Sequence, residues 1–179
     1  KHQVKHLVFS SSCTVYGTPD QIQVTEESPV KPAESPYGQT KQFDEQIIKD
    51  VHASGSAIRF MNLRYFNPVG AHSSSLIGEL PIGRPNNLLP FVTQTAAGLQ
   101  EKLTVYGNDY GTDDGTCIRD YIHVVDLAKA HIKSIEFLSS QDSAVNEVIN
   151  IGTGKGSSVL EIIHTFEEVS GVSLNWEFG

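Results

Sequence analysis

SPYGQTKQFDEQIIKDVHA, residues 35–53, reads as a helix from its first two letters. Ser35 suits the cap position, because its hydroxyl can accept a backbone N–H that the first turn leaves unpaired. Pro36 suits the first helical position, where its fixed φ is helical and its missing N–H costs nothing. Phe43, Ile47 and Val51 then recur at helical spacing. Upstream, HLVFSSS at residues 6–12 is a short apolar run ending in small polar residues, which predicts a buried strand. Residues 17–34 between them are rich in Pro, Gly and acidic side chains and have no period, so they read as a loop. Downstream, AIRFMNLRY at residues 57–65 predicts a second strand with period-2 alternation.

The alternation continues. Residues 67–85 are rich in Gly and Pro and form a long loop, a kind of segment that usually carries function in compact domains. Residues 88–97 read as a helix and 103–106 as a strand. A polar Gly-Asp-rich turn follows at 108–116, then a strand at 119–124 and a helix at 125–138. A strand at 147–151, a Gly-rich turn at 152–156 and a helix at 157–170 complete the pattern. That helix opens on the capping box formed by Ser158 and Glu161. Strands alternating with helix-length connections predict an α/β fold with a doubly wound parallel sheet.

Composition narrows the function classes. The chain has 179 residues, of which 39% are hydrophobic and 19% charged, enough for a sizeable core and unlike a disordered chain. A net charge of −8 argues against nucleic acid as a partner, since phosphate neutralisation needs an excess of Lys and Arg. No apolar run approaches the ~20 residues of a membrane span. Two cysteines, Cys13 and Cys117, are too few for a disulfide framework, so a reducing cytoplasm is expected. The chain opens on Lys1 and its single methionine is Met61, so it is expected to be a piece of a longer protein.

Tyr37 and Lys41 carry the strongest chemical signal. Their i, i+4 spacing puts both side chains on one helix face. A phenol with an unperturbed pKa of ~10 is a poor base at neutral pH, but a nearby ammonium favours the phenolate. Alone, this spacing also occurs on ordinary exposed helix turns. Ser12 adds context, because it closes a strand, and open α/β sheets place their ligands at carboxyl ends of strands. A strand-end Ser facing a helical Tyr/Lys pair is the arrangement of the short-chain dehydrogenase/reductase triad.

Six blocks then carry a resemblance: SSSCTVYG (10–17), SPYGQTK (35–41), LRYFNPVGAH (63–72), PNNLLP (85–90), YGNDYGTDDGT (106–116) and IRDYIHVVDLA (118–128). In this order they resemble the UDP-galactose 4-epimerase family of NAD-dependent extended short-chain dehydrogenase/reductases, over essentially the whole chain. The resemblance implies the carboxyl-terminal half of a Rossmann-like NAD-binding domain over 1–66. It implies a smaller mixed α/β nucleotide-sugar domain over 67–179, with about 118–140 returning to the first. It implies that Ser12 and Tyr37 act on the sugar 4-hydroxyl and that Lys41 holds the nicotinamide ribose and tunes Tyr37. Tyr65, Phe66 and Pro68 would lie against the nicotinamide end of NAD. Asn67 would contact the substrate diphosphate or sugar, and Asn86, Asn87 and Leu88 would grip the nucleotide sugar. Thr104, Val105 and Tyr106 would hold uracil through backbone groups and an aromatic face. Arg119 would pair with the diphosphate, a task its planar fork suits. A UDP-sugar partner, a homodimer, a missing amino-terminal dinucleotide fingerprint and pocket-closing residues beyond Gly179 are implied as well.

Each residue also has a plainer reading. Asn67, Asn86 and Asn87 suit turns, and Arg119 could pair with its neighbour Asp120 on the surface. Within the family type, a 4,6-dehydratase would need an adjacent Asp-Glu pair after the strand serines, where this chain has Cys13 and Thr14. Epimerases of UDP-N-acetylhexosamine or UDP-glucuronate are separated less well. A non-catalytic relative would be expected to lack the Tyr/Lys pair. Gly152, Gly154 and Gly156 do not match the dinucleotide fingerprint, since Ser157 stands where its third Gly belongs. His2 and His6 share i, i+4 spacing without a third ligand, so no metal is expected.

Overall fold

The computed structural model describes residues 3–179, so His2 lies outside the described residues. The elements run β1 (His6–Ser12), a 3-10 turn (Cys13–Tyr16), α1 (Pro36–Ala53), β2 (Arg59–Tyr65), β3 (Asn67–Val69), α2 (Leu88–Ala96) and β4 (Leu103–Val105). They continue with β5 (Ile118–His123), α3 (Val124–Ser140), β6 (Asn146–Ile151), β7 (Gly156–Ser158), α4 (Val159–Ser170) and β8 (Trp176–Phe178). The α/β fold predicted from the sequence is present. Among the described residues no helix is long and apolar enough to cross a membrane.

The chain divides into two compact units. The first comprises the described residues through Pro68 together with Val125–Gly154; the second comprises Val69–Val124 and Lys155–Gly179. In the first, β1, β2 and β6 form a parallel sheet in the order β1-β2-β6. Ser12 stands beside Tyr65 in the β1–β2 register, and Tyr65 beside Ile151 in the β2–β6 register. The core of this unit gathers Met61, Leu63 and Leu138, with Val8, Tyr65, Val145 and Ile151 packed around them.

Two features of the first unit depart from expectation. The alternation expected in β2 is absent: Phe60 through Arg64 are all buried. The reason is its place in the sheet, because a central parallel strand is covered on both faces. Its polar members find partners among the described residues, save the Asn62 side-chain oxygen, which is buried and has none. Asn62 donates to Asn146 Oδ1 at 2.8 Å, and Arg64 meets the Glu45 carboxylate. The second departure concerns α1. Phe43, Ile47 and Val51 lie exposed, at 60%, 59% and 39% of their surface. The inward face is instead Gly38, Lys41, Gln42, Glu45 and Ile48. Gln42 donates to the carbonyls of Val15 and Lys31, fixing the 3-10 turn and the loop against the helix. The helix thus turns its polar stripe towards the site and its apolar stripe outward.

The second unit is built around Val92, Leu103, Val105, Ile163 and Leu174, with Leu88 and Trp176 among the side chains packed on them. β4 pairs in parallel with β8, and β5 antiparallel with β7. The turn expected at 152–156 runs into β7 before α4 begins. Gly156 stands beside Asp120, where an added Cβ would come within 2.3 Å of the Ile118 side chain. The capping box predicted at Ser158 and Glu161 is formed.

Candidate active site

The carboxyl end of β1 supplies three consecutive serines. Ser12 is buried and caps the 3-10 turn, its Oγ accepting from the Thr14 N–H at 3.3 Å. Its own hydroxyl proton is left for a further acceptor. Ser11 turns to the helix side and donates to Glu45 Oε1 at 2.5 Å. The Ser10 hydroxyl lies 2.8 Å from the Tyr65 phenol oxygen.

Lys41 reaches this edge from α1. Ser35 caps the helix as the sequence predicts, accepting from the Gly38 N–H at 3.1 Å, and so sets where the first turns point. Lys41 Nζ donates to the Ser10 carbonyl at 2.9 Å and lies 5.5 Å from the centre of the Tyr37 ring. The Tyr37 side chain, one turn earlier, is 55% exposed. Its phenol meets no hydrogen-bond partner among the described residues. Tyr65 is half-buried, and burial pushes its phenol up from the ordinary value, with the Ser10 hydrogen bond opposing and Tyr37 adding to the rise. Phe66 donates its N–H to Ile151 O at 3.0 Å, and Asn67 and Pro68 follow on β3. Ser12, Tyr37, Lys41, Tyr65, Phe66, Asn67 and Pro68 thus all belong to the first unit.

Asn86, Asn87, Leu88, Thr104, Val105, Tyr106 and Arg119 belong to the second unit. Asn87 occupies the cap position of α2, yet its side chain makes no capping bond. That leaves the amide to other partners. The Leu88 and Val105 side chains belong to the core, so only their backbone groups remain for a ligand. The Val105 carbonyl is already taken by the Gly179 N–H at 3.0 Å. Tyr106 is 72% exposed, offering a free ring face. Arg119 is exposed on β5, with one N–H on the Ile118 carbonyl at 2.8 Å.

A buried network behind the site was not anticipated. Glu45 takes two hydrogen bonds from Arg64, at 2.9 and 2.6 Å, and Arg64 donates a third to the Tyr16 hydroxyl at 2.9 Å. Tyr16 donates onward to Asn150 Oδ1 at 2.8 Å. Burial alone would lower the Arg64 guanidinium, but Glu45 and Tyr16 outweigh it and hold the group above its ordinary value. Two signals pointed here. Glu45 is one turn beyond Lys41, and an Arg inside an apolar strand needs a partner. His131, which lies 2.6 Å from the Tyr65 phenol, carried no such signal.

The sequence matches the NAD dependent epimerase/dehydratase family over residues 1–152. UDP-glucose 4-epimerase 2 of Arabidopsis thaliana is 56% identical over 167 residues, covering 93% of this chain and 47% of that protein. UDP-glucose 4-epimerase of Bacillus subtilis is 52% identical over 178 residues, covering 99% and 52%. The chain thus spans about half the length of the curated relatives it matches. Among solved structures, the Stenotrophomonas maltophila UDP-glucose-4-epimerase with bound NAD and formylated UDP-arabinopyranose superposes with a TM-score of 0.93. It is 49% identical and covers 98% of this chain and 52% of that one. The Bifidobacterium longum enzyme, in complex with NAD+ and UDP, gives 0.92 at 49% identity, covering 99% and 52%. Because the family match runs through every strand of the parallel sheet and through the helix bearing Tyr37 and Lys41, the chain belongs to the NAD dependent epimerase/dehydratase family.

Proposed function

We propose that the protein interconverts UDP-galactose and UDP-glucose by transient oxidation at sugar C4. The observation that carries this reading is the meeting of Lys41 with the carboxyl end of β1, beside an unengaged Tyr37 phenol. Tyr37 takes the proton of the 4-hydroxyl as general base and returns it as general acid. The Lys41 ammonium stabilises the phenolate while it exists. The Ser12 hydroxyl holds the same sugar oxygen through the donor left after Thr14 is capped.

The residues at this edge fit a nicotinamide dinucleotide. Lys41 keeps two of its three N–H donors after bonding Ser10, and these suit ribose hydroxyls. Tyr65, Phe66 and Pro68 supply the flanking segment. NAD, when bound, supplies the hydride acceptor and donor for C4. The first unit is thus read as the carboxyl-terminal part of the cofactor domain and the second as the nucleotide-sugar domain. In the second, Arg119 neutralises the diphosphate, Asn86 and Asn87 take sugar or phosphate oxygens with Leu88 backbone groups beside them, and Tyr106 stacks on uracil from the strand carrying Thr104 and Val105. Asn67, in the first unit, takes a substrate oxygen. A homodimer is the assembly this reading gives the full-length protein, and the exposed Phe43, Ile47 and Val51 on α1 offer it an apolar stripe.

The test is turnover by the full-length protein. UDP-galactose is expected to give UDP-glucose with no added reductant. Turnover of UDP-N-acetylgalactosamine or UDP-glucuronate alone, with UDP-galactose inert, would overturn the substrate assignment.

A further inference from the structure

With a neutral His131 ring, the hydrogen bonds around it have one consistent direction, in which Ser10 donates to Tyr65. His131 Nδ1 lies 2.9 Å from the Leu127 carbonyl, and a carbonyl only accepts, so Nδ1 carries a proton. In a neutral ring Nε2 is then bare and accepts. The group it meets is the Tyr65 hydroxyl, 2.6 Å away, with the two rings 5.6 Å apart. That phenol has one proton, and it is donated in a hydrogen bond to Nε2. The 2.8 Å contact between Tyr65 and Ser10 must therefore be made by the Ser10 hydroxyl proton. The Ser10 carbonyl in turn accepts from Lys41. Burial pushes the Tyr65 phenol up, which keeps its proton in place.

We propose that His131 is a positioning residue: as the neutral Nδ1–H tautomer it accepts from Tyr65, sets Tyr65 as the acceptor for Ser10, and so fixes the edge at which Lys41 and Tyr37 work. The inference rests on the proposed reading of that edge as the reaction site. The result is a directed chain from α3 through β2 and β1 to α1. The Tyr65 phenol is held between Ser10 and His131, and the Ser10 backbone is held as the anchor of the Lys41 ammonium. Nothing in this chain exchanges a proton with substrate.

The first test needs no turnover. Full-length protein labelled with 15N-histidine gives the tautomer of each ring from long-range proton–nitrogen couplings, with His131 assigned by its loss in His131→Phe. Without added ligand at neutral pH, His131 is expected to show a protonated Nδ1 and a bare Nε2, and the Nε2 signal is expected to shift in Tyr65→Phe. An Nε2–H tautomer, a cationic ring, or a signal unmoved by Tyr65→Phe overturns the proposal. The second test is kinetic. His131→Phe is expected to lower kcat about tenfold, the scale of one lost hydrogen bond, with KM for the UDP-sugar within about twofold. Tyr65→Phe should do the same, and the double variant should be no worse than the poorer single one. Additive losses, or a loss confined to KM, overturn it. Should His131→Phe fail to fold, the Tyr65→Phe spectrum decides alone, with the His131 signal identified by its coupling pattern. An inert enzyme with the expected tautomer would count against the reaction and leave the hydrogen-bond chain standing.

Discussion

Replacing Glu45 by Gln removes one charge from a pair largely shielded from solvent. The Arg64 and Glu45 side chains are 6% and 14% exposed, and Arg64 is left with its charge wherever Glu45 goes. Glu45 accepts three hydrogen bonds, two from Arg64 and one from Ser11. Gln offers one oxygen and two N–H groups in the same space, so at least one of these donors faces another donor. Two unit charges ~4 Å apart attract by about 4 kcal/mol at an effective dielectric of about 20. Breaking buried pairs by removing one partner costs about 3–5 kcal/mol, because the remaining charge is uncompensated. We expect Glu45→Gln to lose about 3–4 kcal/mol, and the midpoint of thermal unfolding to fall by roughly 6–16 °C for a chain of this size. Because Glu45 is one turn beyond Lys41, activity should fall at temperatures below that midpoint as α1 loosens. The assay is urea and thermal unfolding followed by far-UV circular dichroism. Glu45→Leu combined with Arg64→Met should recover most of the loss, since an apolar pair leaves no buried charge. A single-variant cost under about 0.5 kcal/mol, or a double variant as poor as the sum of its parts, would refute the reasoning.

Four further outcomes are expected. Ser12→Ala should cost less in kcat than Tyr37→Phe, and Lys41→Met should lower kcat while leaving UDP-sugar affinity nearly unchanged, as steady-state kinetics and calorimetry would show. The hydrogen bonds from Ser158, from the Thr116 N–H and from the Thr116 hydroxyl hold the Asp114 carboxyl below its ordinary value. Its folded form thus binds its proton less readily than the unfolded chain, so the stability it contributes is full above the ordinary carboxylate range and disappears as pH falls below it. Acid titration of stability should therefore be shallower in Asp114→Asn, and an unchanged slope would count against the assignment. With Cys13 and Thr14 in place of an acidic pair, no 4-keto-6-deoxy sugar should form from a nucleotide-glucose, and its detection by mass spectrometry would move the reaction to a dehydratase.

Much of the first unit was legible because its signals are local. Ser35 and Pro36 announce the start of α1, and the apolar run before three serines announces β1. What the sequence conceals is set by neighbours far along the chain. β3 and β7 have three residues each, too few for any period to show. The outward turn of Phe43, Ile47 and Val51 follows from what the other face of α1 must do. Lys41, Gln42 and Glu45 have partners on β1, the 3-10 turn, the loop and β2 that no helical pattern encodes. Tyr37 and Lys41 could be read as a pair from spacing alone. His131 could not, because its partner Tyr65 is 66 residues away and a lone His on an amphipathic helix has many ordinary uses.

The central claim is that Tyr37 moves the proton of the sugar 4-hydroxyl. The most direct measurement is single-turnover and steady-state conversion of UDP-galactose by full-length Tyr37→Phe, with UDP-sugar binding measured in parallel. The account predicts a fall in kcat of about 10²–10⁴-fold, the range of general acid–base catalysis, with the dissociation constant for UDP-sugar changed by less than about threefold. Turnover within about threefold of the parent protein would contradict it.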